Sequence, residues 1–302
     1  MFLKKILTFK LLVLFLNAST IEVIPDSIEF NYDKAILGKK LFFDTSLSKN
    51  GTISCASCHD LEAGGDDGLR FSIGINGQEG DINAPTVLNS VFNFRQFWDG
   101  RVKTLQEQAL GPIENPIEMG HNFGKLVSNL KKTSYVEEFD KIYKNGITKN
   151  NIANAIAEFE KTLITPNSSF DRYLKGNEKA INSFEKEGYK LFRTKGCISC
   201  HNGINVGGNL YSKFGMIIDV NSKHLGKYNI TKNEMDKYYF KVPSLRNISL
   251  TSPYFHDGRH ETLTEAVETM ALVQLGRPIT QLEIEKIVAF LKTLNGELEL
   301  IK

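Results

Sequence analysis

Apolar residues recur at helical spacing through "TKNNIANAIAEFEKTLITP". Ile152, Ala155, Ile156, Phe159 and Leu163 share one face, and Pro166 ends the run. The same period organises the final stretch, where Ile284, Ile287, Val288, Leu291 and Leu294 form one apolar stripe. Thr262 with Glu265 and Thr280 with Glu283 match capping boxes, and Gly276 and Gly296 suit the positions just past two helix ends. The pattern predicts a helix before Pro166 and two more starting at Thr262 and Thr280. Long Gly-rich loops and few strand-like runs fill the rest, so the expected class is mainly α with little β.

The first twenty residues are patterned differently. "MFLKK" is a positive start, "ILTFKLLVLFL" an apolar core interrupted by Lys10, and Ala18-Ser19-Thr20 a small-residue exit. Residues 1–20 therefore read as a secretory signal peptide, with an uncleaved anchor as the plainer alternative. The run is short for a bilayer span, which needs about 20 apolar residues. No second hydrophobic span follows, so the expectation is an exported, soluble protein.

Composition adds only exclusions. With 41% apolar residues and a net charge of +2, the 302-residue chain is globular, and no basic excess argues for nucleic acid. The four cysteines change the picture. They fall into two pairs of one spacing, each closed by histidine: "CASCH" with Cys55, Cys58 and His59, and "CISCH" with Cys197, Cys200 and His201.

Three chemistries use such a pair. A thioredoxin-like dithiol wants a strand before it and a helix after it, whereas "LFFDTSLSKNGTISCASCHD" offers a Gly/Ser/Asn loop. A zinc site of four cysteines places its halves about 12–20 residues apart, far closer than these. Cys-x-x-Cys-His is the attachment pattern of c-type haem: two thiols form thioethers and the histidine of the same turn coordinates iron. We read both motifs as haem hooks, one per unit. The approaches "GKKLF" and "GYKLF" fit a repeated unit, and "PNSSFDRYLKGN" reads as the connector. The expected architecture is two cytochrome-c-like haem domains, residues 21–166 and 167–302.

Each hook supplies one axial ligand. Met270, on the capped helix after the second hook, can supply the other for His201, and a thioether opposite histidine raises the potential. From spacing alone the reading that wins is a core methionine on an amphipathic helix. Between Asp60 and Trp98 there is no histidine, methionine, lysine or cysteine. The first haem is thus a candidate open site, unless a distant residue such as His121 folds over it.

Longer stretches carry a resemblance. "NAPTVLNSVFNFRQFWDGR", "EQALGPIENPIEMG", "TPNSSFDRYLKG", "FKVPSLRNISLTSPYFHDG" and "VQLG" are similar to the bacterial di-haem cytochrome c peroxidases, over nearly the whole mature chain. The resemblance implies a peroxidatic N-terminal haem and an electron-entry C-terminal haem ligated by His201 and Met270. It implies an acid/base glutamate at Glu118 with Gln108 nearby, and Trp98 between the haems. It implies calcium bound by the Asn83 side chain and the Thr251 and Pro253 carbonyls. Taken without it, Glu118 is a solvated loop acid or cap, Trp98 a core aromatic, and Asn83 and Thr251 are turn residues. His256 and His260 are expected near the second haem in structural roles.

One position departs from that pattern. Where well-known members carry a histidine that caps the resting peroxidatic iron, "SIGINGQEG" has Ile75, which cannot coordinate. The implied function is periplasmic reduction of hydrogen peroxide to water with electrons from a small periplasmic cytochrome c or a cupredoxin, by a homodimer. Two alternatives stand beside it. Relatives that mature quinone cofactors tend to have tyrosine where Met270 stands, and a plain di-haem electron carrier would leave Glu118 incidental.

Overall fold

The computed structural model describes residues 21–302, and the leader-like segment 1–20 lies outside them. Before Pro166 come α1 (Tyr32–Phe43), α2 (Leu105–Glu114), α3 (Phe123–Leu130), α4 (Tyr135–Ile142) and α5 (Lys149–Lys161). After it come α6 (Ser169–Leu174), α7 (Ser183–Lys195), α8 (Tyr228–Thr231), α9 (Leu263–Val273) and α10 (Gln281–Lys292). The only strands named among these residues, Tyr211–Lys213 (β1) and Tyr239–Lys241 (β2), pair antiparallel. The chain is mainly α, as expected.

Two helix crossings hold the two cores, and a glycine permits each. A Cβ on Gly38 of α1 would stand 1.9 Å from the Ala155 carbonyl of α5, and one on Gly188 of α7 would stand 1.9 Å from the Lys286 carbonyl of α10. Backbones can approach this closely only where no side chain intervenes. Phe42 then packs edge-on against Phe159 with ring centroids 5.2 Å apart, and Phe192 meets Phe290 at 5.1 Å. The repeat hinted at by "GKKLF" and "GYKLF" is this shared crossing.

The first core gathers residues from Leu37 to Leu163 and the second residues from Phe170 to Leu294, with the first and last described segments exchanged between them. Ile21 is buried in the second core, where Arg246 Nη2 donates to the Glu22 carbonyl at 2.7 Å. At the other end Leu298 and Ile301 pack on the first core, and Tyr32 Oη donates to the Lys302 carbonyl at 2.8 Å. Arg246 is buried on every side, its Nη1 donating to Asp171 Oδ1 at 2.8 Å and its Nε to the Ile204 carbonyl at 3.1 Å.

The capping boxes at Thr262 and Thr280 form with Glu265 and Glu283. Gly276 takes the left-handed φ of 60° expected beyond α9. Gly296 serves another purpose: the Thr165 carbonyl passes 1.9 Å from where its Cβ would be. Among the described residues no helix is long and apolar enough to cross a membrane.

Candidate active site

Each hook is a single 3-10 turn, Cys55–Ser57 or Cys197–Ser199. His59 N donates to the Cys55 carbonyl and His201 N to that of Cys197, both at 3.0 Å, so two thiols and an imidazole are presented from one turn. Burial, the largest influence on each, pushes the Cys55 thiol well above its ordinary range and Cys58 and Cys197 up to about 11. Such thiols are protonated at neutral pH, the reverse of a redox dithiol, which needs a thiolate. Among the described residues no group of three or more metal-binding side chains is gathered, and the two cysteine pairs line different cavities, which disposes of a shared zinc site.

The imidazoles are poised as neutral ligands. Burial lowers His59 and takes His201 down to about 4. His59 Nδ1 lies 3.0 Å from the Gly65 carbonyl. A carbonyl only accepts, so Nδ1 holds the proton and Nε2 keeps the lone pair for a metal. His201 Nδ1 is buried without a hydrogen bond of good geometry, although the Val206 and Pro243 carbonyls face it.

The first hook opens into a cavity of about 430 Å³ that Gln108, Glu118 and Trp98 also line. The second opens into one of about 220 Å³, with Met270 on its wall beside Cys197, Cys200 and His201. Paired thiols, a neutral imidazole and a cavity at each hook fit a covalently held haem. Trp98 lines both cavities and is fixed from two sides: its Nε1 donates to the Asn83 carbonyl at 2.9 Å, and its own carbonyl accepts from Lys241 N at 2.8 Å.

Glu118 and Gln108 reach the first cavity from one segment. The Thr104–Glu107 capping box starts α2, which carries Gln108, and the turn after it is tied by Glu118 N donating to the Asn115 carbonyl at 3.1 Å. Asn115 Nδ2 also donates to Glu118 Oε1 at 2.6 Å. Burial raises the Glu118 carboxyl above its ordinary value, opposed by that hydrogen bond and by Arg101.

Ile75 is buried beneath this turn. Its N donates to the Glu118 carbonyl at 2.8 Å, and its Cδ1 fills the space over Gly120 rather than the cavity. His121 is absent from the cavity wall and donates through Nδ1 to the Asn122 carbonyl at 3.1 Å. Two side chains able to ligate iron do line this cavity, Met119 and His224; Met119 is buried in the first core, and His224 Nε2 is committed to the Asp81 carbonyl at 2.6 Å.

Asn83 lines both cavities, while Thr251 and Pro253 line the second. Asn83 Nδ2 is committed to the Leu69 carbonyl at 2.9 Å, which leaves Oδ1 as its free atom. Near it the loop "GGDDG" lies against the Leu250 carbonyl, and Asp66 Oδ1 and Asp67 Oδ2 are buried without partners. Burial raises Asp66 to about 7. Oxygens left unpaired in this way suit a hard cation. His256 Nε2 meets Ser222 Oγ at 2.8 Å and its ring stacks on Phe240 at 4.3 Å, while His260 Nε2 meets Thr269 Oγ1 at 2.9 Å.

Sequence reasoning missed several residues of these cavities. Glu160 and Ser90 line the first, and Lys241, buried and in no ion pair among the described residues, lines the second. The motif Pro-Thr/Ser-x-x-Asn, present as "PTVLN" and "PSLRN", was the available signal for the segments that carry Ser90 and Lys241 to the cavities.

Comparison with known proteins agrees with this geometry. The family model described as di-haem cytochrome c peroxidase matches residues 32–179. A cytochrome c551 peroxidase of Nitrosomonas europaea is 52% identical over 273 residues, covering 88% of this chain and 81% of that protein. A cytochrome c peroxidase of Escherichia coli is 47% identical over 283 residues, covering 91% of this chain and 61% of that protein. The crystal structure of a MauG-like protein associated with microbial copper homeostasis has a TM-score of 0.79 at 28% identity, covering 92% of this chain and 93% of that one. With two thiol–histidine hooks opening into adjoining cavities and relatives this close, the chain belongs to the di-haem cytochrome c peroxidase family, oxidoreductases that carry two haem c groups.

Proposed function

We propose that the protein reduces hydrogen peroxide at the first cavity, with electrons entering at the second and passing Trp98. What carries the reading is the asymmetry of the two cavities: Glu118 and Gln108 face only the first, and Met270 only the second. Haem, when bound by Cys55, Cys58 and His59 and by Cys197, Cys200 and His201, supplies the one-electron redox chemistry. At the second hook Met270 would hold the haem iron together with His201, and Lys241 on the same cavity wall would offer its charge to a haem carboxylate.

The chain's own groups handle the protons. Glu118, held by Asn115, takes a proton from one peroxide oxygen and returns it to the other, and the Gln108 amide orients the substrate. Two electrons and two further protons complete two waters. Ile75, packed against Gly120, keeps the loop at this wall folded away, so peroxide meets an open site without prior reduction.

The donor is a small cytochrome c or a cupredoxin. Exposed Met216, Ile217, Ile218 and Leu272 form an apolar patch next to the Met270 helix, with Ile217 N donating to the Val273 carbonyl at 3.0 Å, and such a patch suits transient docking. Asn83 Oδ1 and the Thr251 and Pro253 carbonyls bind calcium, with Asp66 and Asp67 close by. The leader pattern of residues 1–20 supports a periplasmic location, and the working unit is a homodimer of chains divided at 166/167.

The test mixes the fully oxidised, as-isolated protein with peroxide and reduced cytochrome c, with and without calcium, and records its electron paramagnetic resonance. Immediate turnover, a high-spin ferric signal and loss of activity on chelation are expected. Low-spin signals at both haems, or turnover only after prior reduction, would overturn the open-site reading. No peroxide turnover in either state would overturn the function.

A further inference from the structure

The two halves share a register around their cavities. The glycine crossings equate Ala155 with Lys286 and Phe159 with Phe290. A second set of contacts repeats in the same register. Asn89 and Asn247 both take φ 59° ahead of a 3-10 turn, Ser90–Phe92 or Ile248–Leu250. Asn89 N donates to the Leu163 carbonyl at 2.8 Å, and Asn247 N to the Leu294 carbonyl at 3.3 Å. Asn89 Oδ1 accepts from Thr165 N at 2.8 Å, and Asn247 Oδ1 from Gly296 N at 3.0 Å.

This register equates Ile156 with Ile287, Glu160 with Leu291 and Ser90 with Ile248, and all six line their respective cavities. Ile156 and Ile287 are the same residue type. At the other two positions the second cavity has Leu291 and Ile248, where the first has a carboxyl and a hydroxyl. Glu160 is 5% exposed and Ser90 6%, and Glu160 Oε2 and Ser90 Oγ have no hydrogen-bond partner. A buried polar group left unpaired costs about 1–3 kcal/mol, so two on one wall call for an explanation. Desolvation raises the Glu160 carboxyl to about 8, leaving it protonated at neutral pH and able to donate as well as accept.

We propose that Glu160 and Ser90 are a tuning pair that makes the first haem harder to reduce than the second. The proposal rests on the reading that both cavities hold haem. Polar groups aimed at a redox centre favour its more charged, oxidised form, whereas an apolar wall favours the reduced form; shell polarity is a recognised control on haem potential. The pair adds to whatever difference the axial ligands create, and it acts on one haem only because its counterparts at the other are apolar.

The experiment gives the first cavity the character of the second. Glu160→Leu and Ser90→Ala, singly and together, are titrated redox-optically in the haem-loaded protein, with haem content and electron paramagnetic resonance as controls. We expect Glu160→Leu to shift the first haem's reduction equilibrium about tenfold toward the reduced form, about 59 mV for a one-electron couple, and to leave the second unmoved. Glu160→Gln, which keeps a polar group, should shift it less. The converse variant Leu291→Gln should move the second haem the other way. An unshifted first haem in the double variant at full haem content, or equal shifts at both haems, overturns the proposal. Should Glu160→Leu load no haem, Leu291→Gln decides, and an unmoved second haem is then the overturning result. Pyridine haemochrome absorbance of the parent protein showing fewer than two haems would fail the two-haem reading instead, a separate outcome.

Discussion

Replacing Glu118 by glutamine separates chemistry from architecture. Asn115 Nδ2 donates to Glu118 Oε1 at 2.6 Å, and a glutamine carbonyl of the same reach accepts that bond. Weakening a charge-assisted bond to a neutral one costs roughly 1 kcal/mol, and removing a desolvated carboxylate offsets part of it. The melting temperature should therefore move by only a few degrees. Proton transfer by a placed acid/base is worth roughly 10²–10⁴-fold in rate. At 1.36 kcal/mol per tenfold that is about 2.7–5.4 kcal/mol, several times the stability change. Peroxide turnover should fall by that factor with both haem spectra unchanged.

The pH profile gives a second readout. Burial raises Glu118 above the ordinary value of a glutamate. A proton acceptor must be ionised, so turnover should rise with pH through this raised value, and its acid limb should lie above that of an exposed carboxylate. In Glu118→Gln the limb should vanish. The assay is steady-state oxidation of reduced cytochrome c by peroxide across about pH 4–8, where carboxylates and histidines titrate. Turnover within about tenfold of the parent, or an acid limb that survives in the variant, would refute the assignment.

Two further predictions concern the frame that holds the cavities. In Gly188→Ala the new Cβ would stand 1.9 Å from the Lys286 carbonyl and 2.9 Å from Phe290 Cβ, so α7 and α10 must separate. A loss of about 1–3 kcal/mol or more is expected in thermal or urea unfolding, and a variant as stable as the parent would contradict the crossing. In Asp171→Asn the Arg246 guanidinium, whose side chain is 0% exposed like that of Asp171, loses its counter-charge. Unfolding free energy should fall by about 3–5 kcal/mol, and an unchanged urea midpoint would show that the pair is not buried as described.

What could be read from sequence was local. The hooks are legible because two thiols and a histidine fit one turn, and the helices because stripes and capping boxes act within a few residues, as at Thr280 with Glu283. The mainly α class follows from the same short-range signals. Gly296 was misread as a helix-end glycine because its reason for being glycine, the Thr165 carbonyl, lies far away in the chain. His121 looked like a possible ligand because sequence gives no direction to a side chain.

By itself, then, the sequence determined the cofactor chemistry, the number of hooks and the helical repeat, since each rests on contacts within a turn or a helix. Tertiary structure alone decided which cavity each residue faces. It packed Ile21 on the second core and Ile301 on the first, set Trp98 on the wall of both cavities and turned Ile75 away under Gly120. It also left Glu160 and Ser90 unpaired opposite the positions where the other half has Leu291 and Ile248. The physical reason is the same in each case: burial and hydrogen-bond satisfaction are properties of neighbours that only folding brings together.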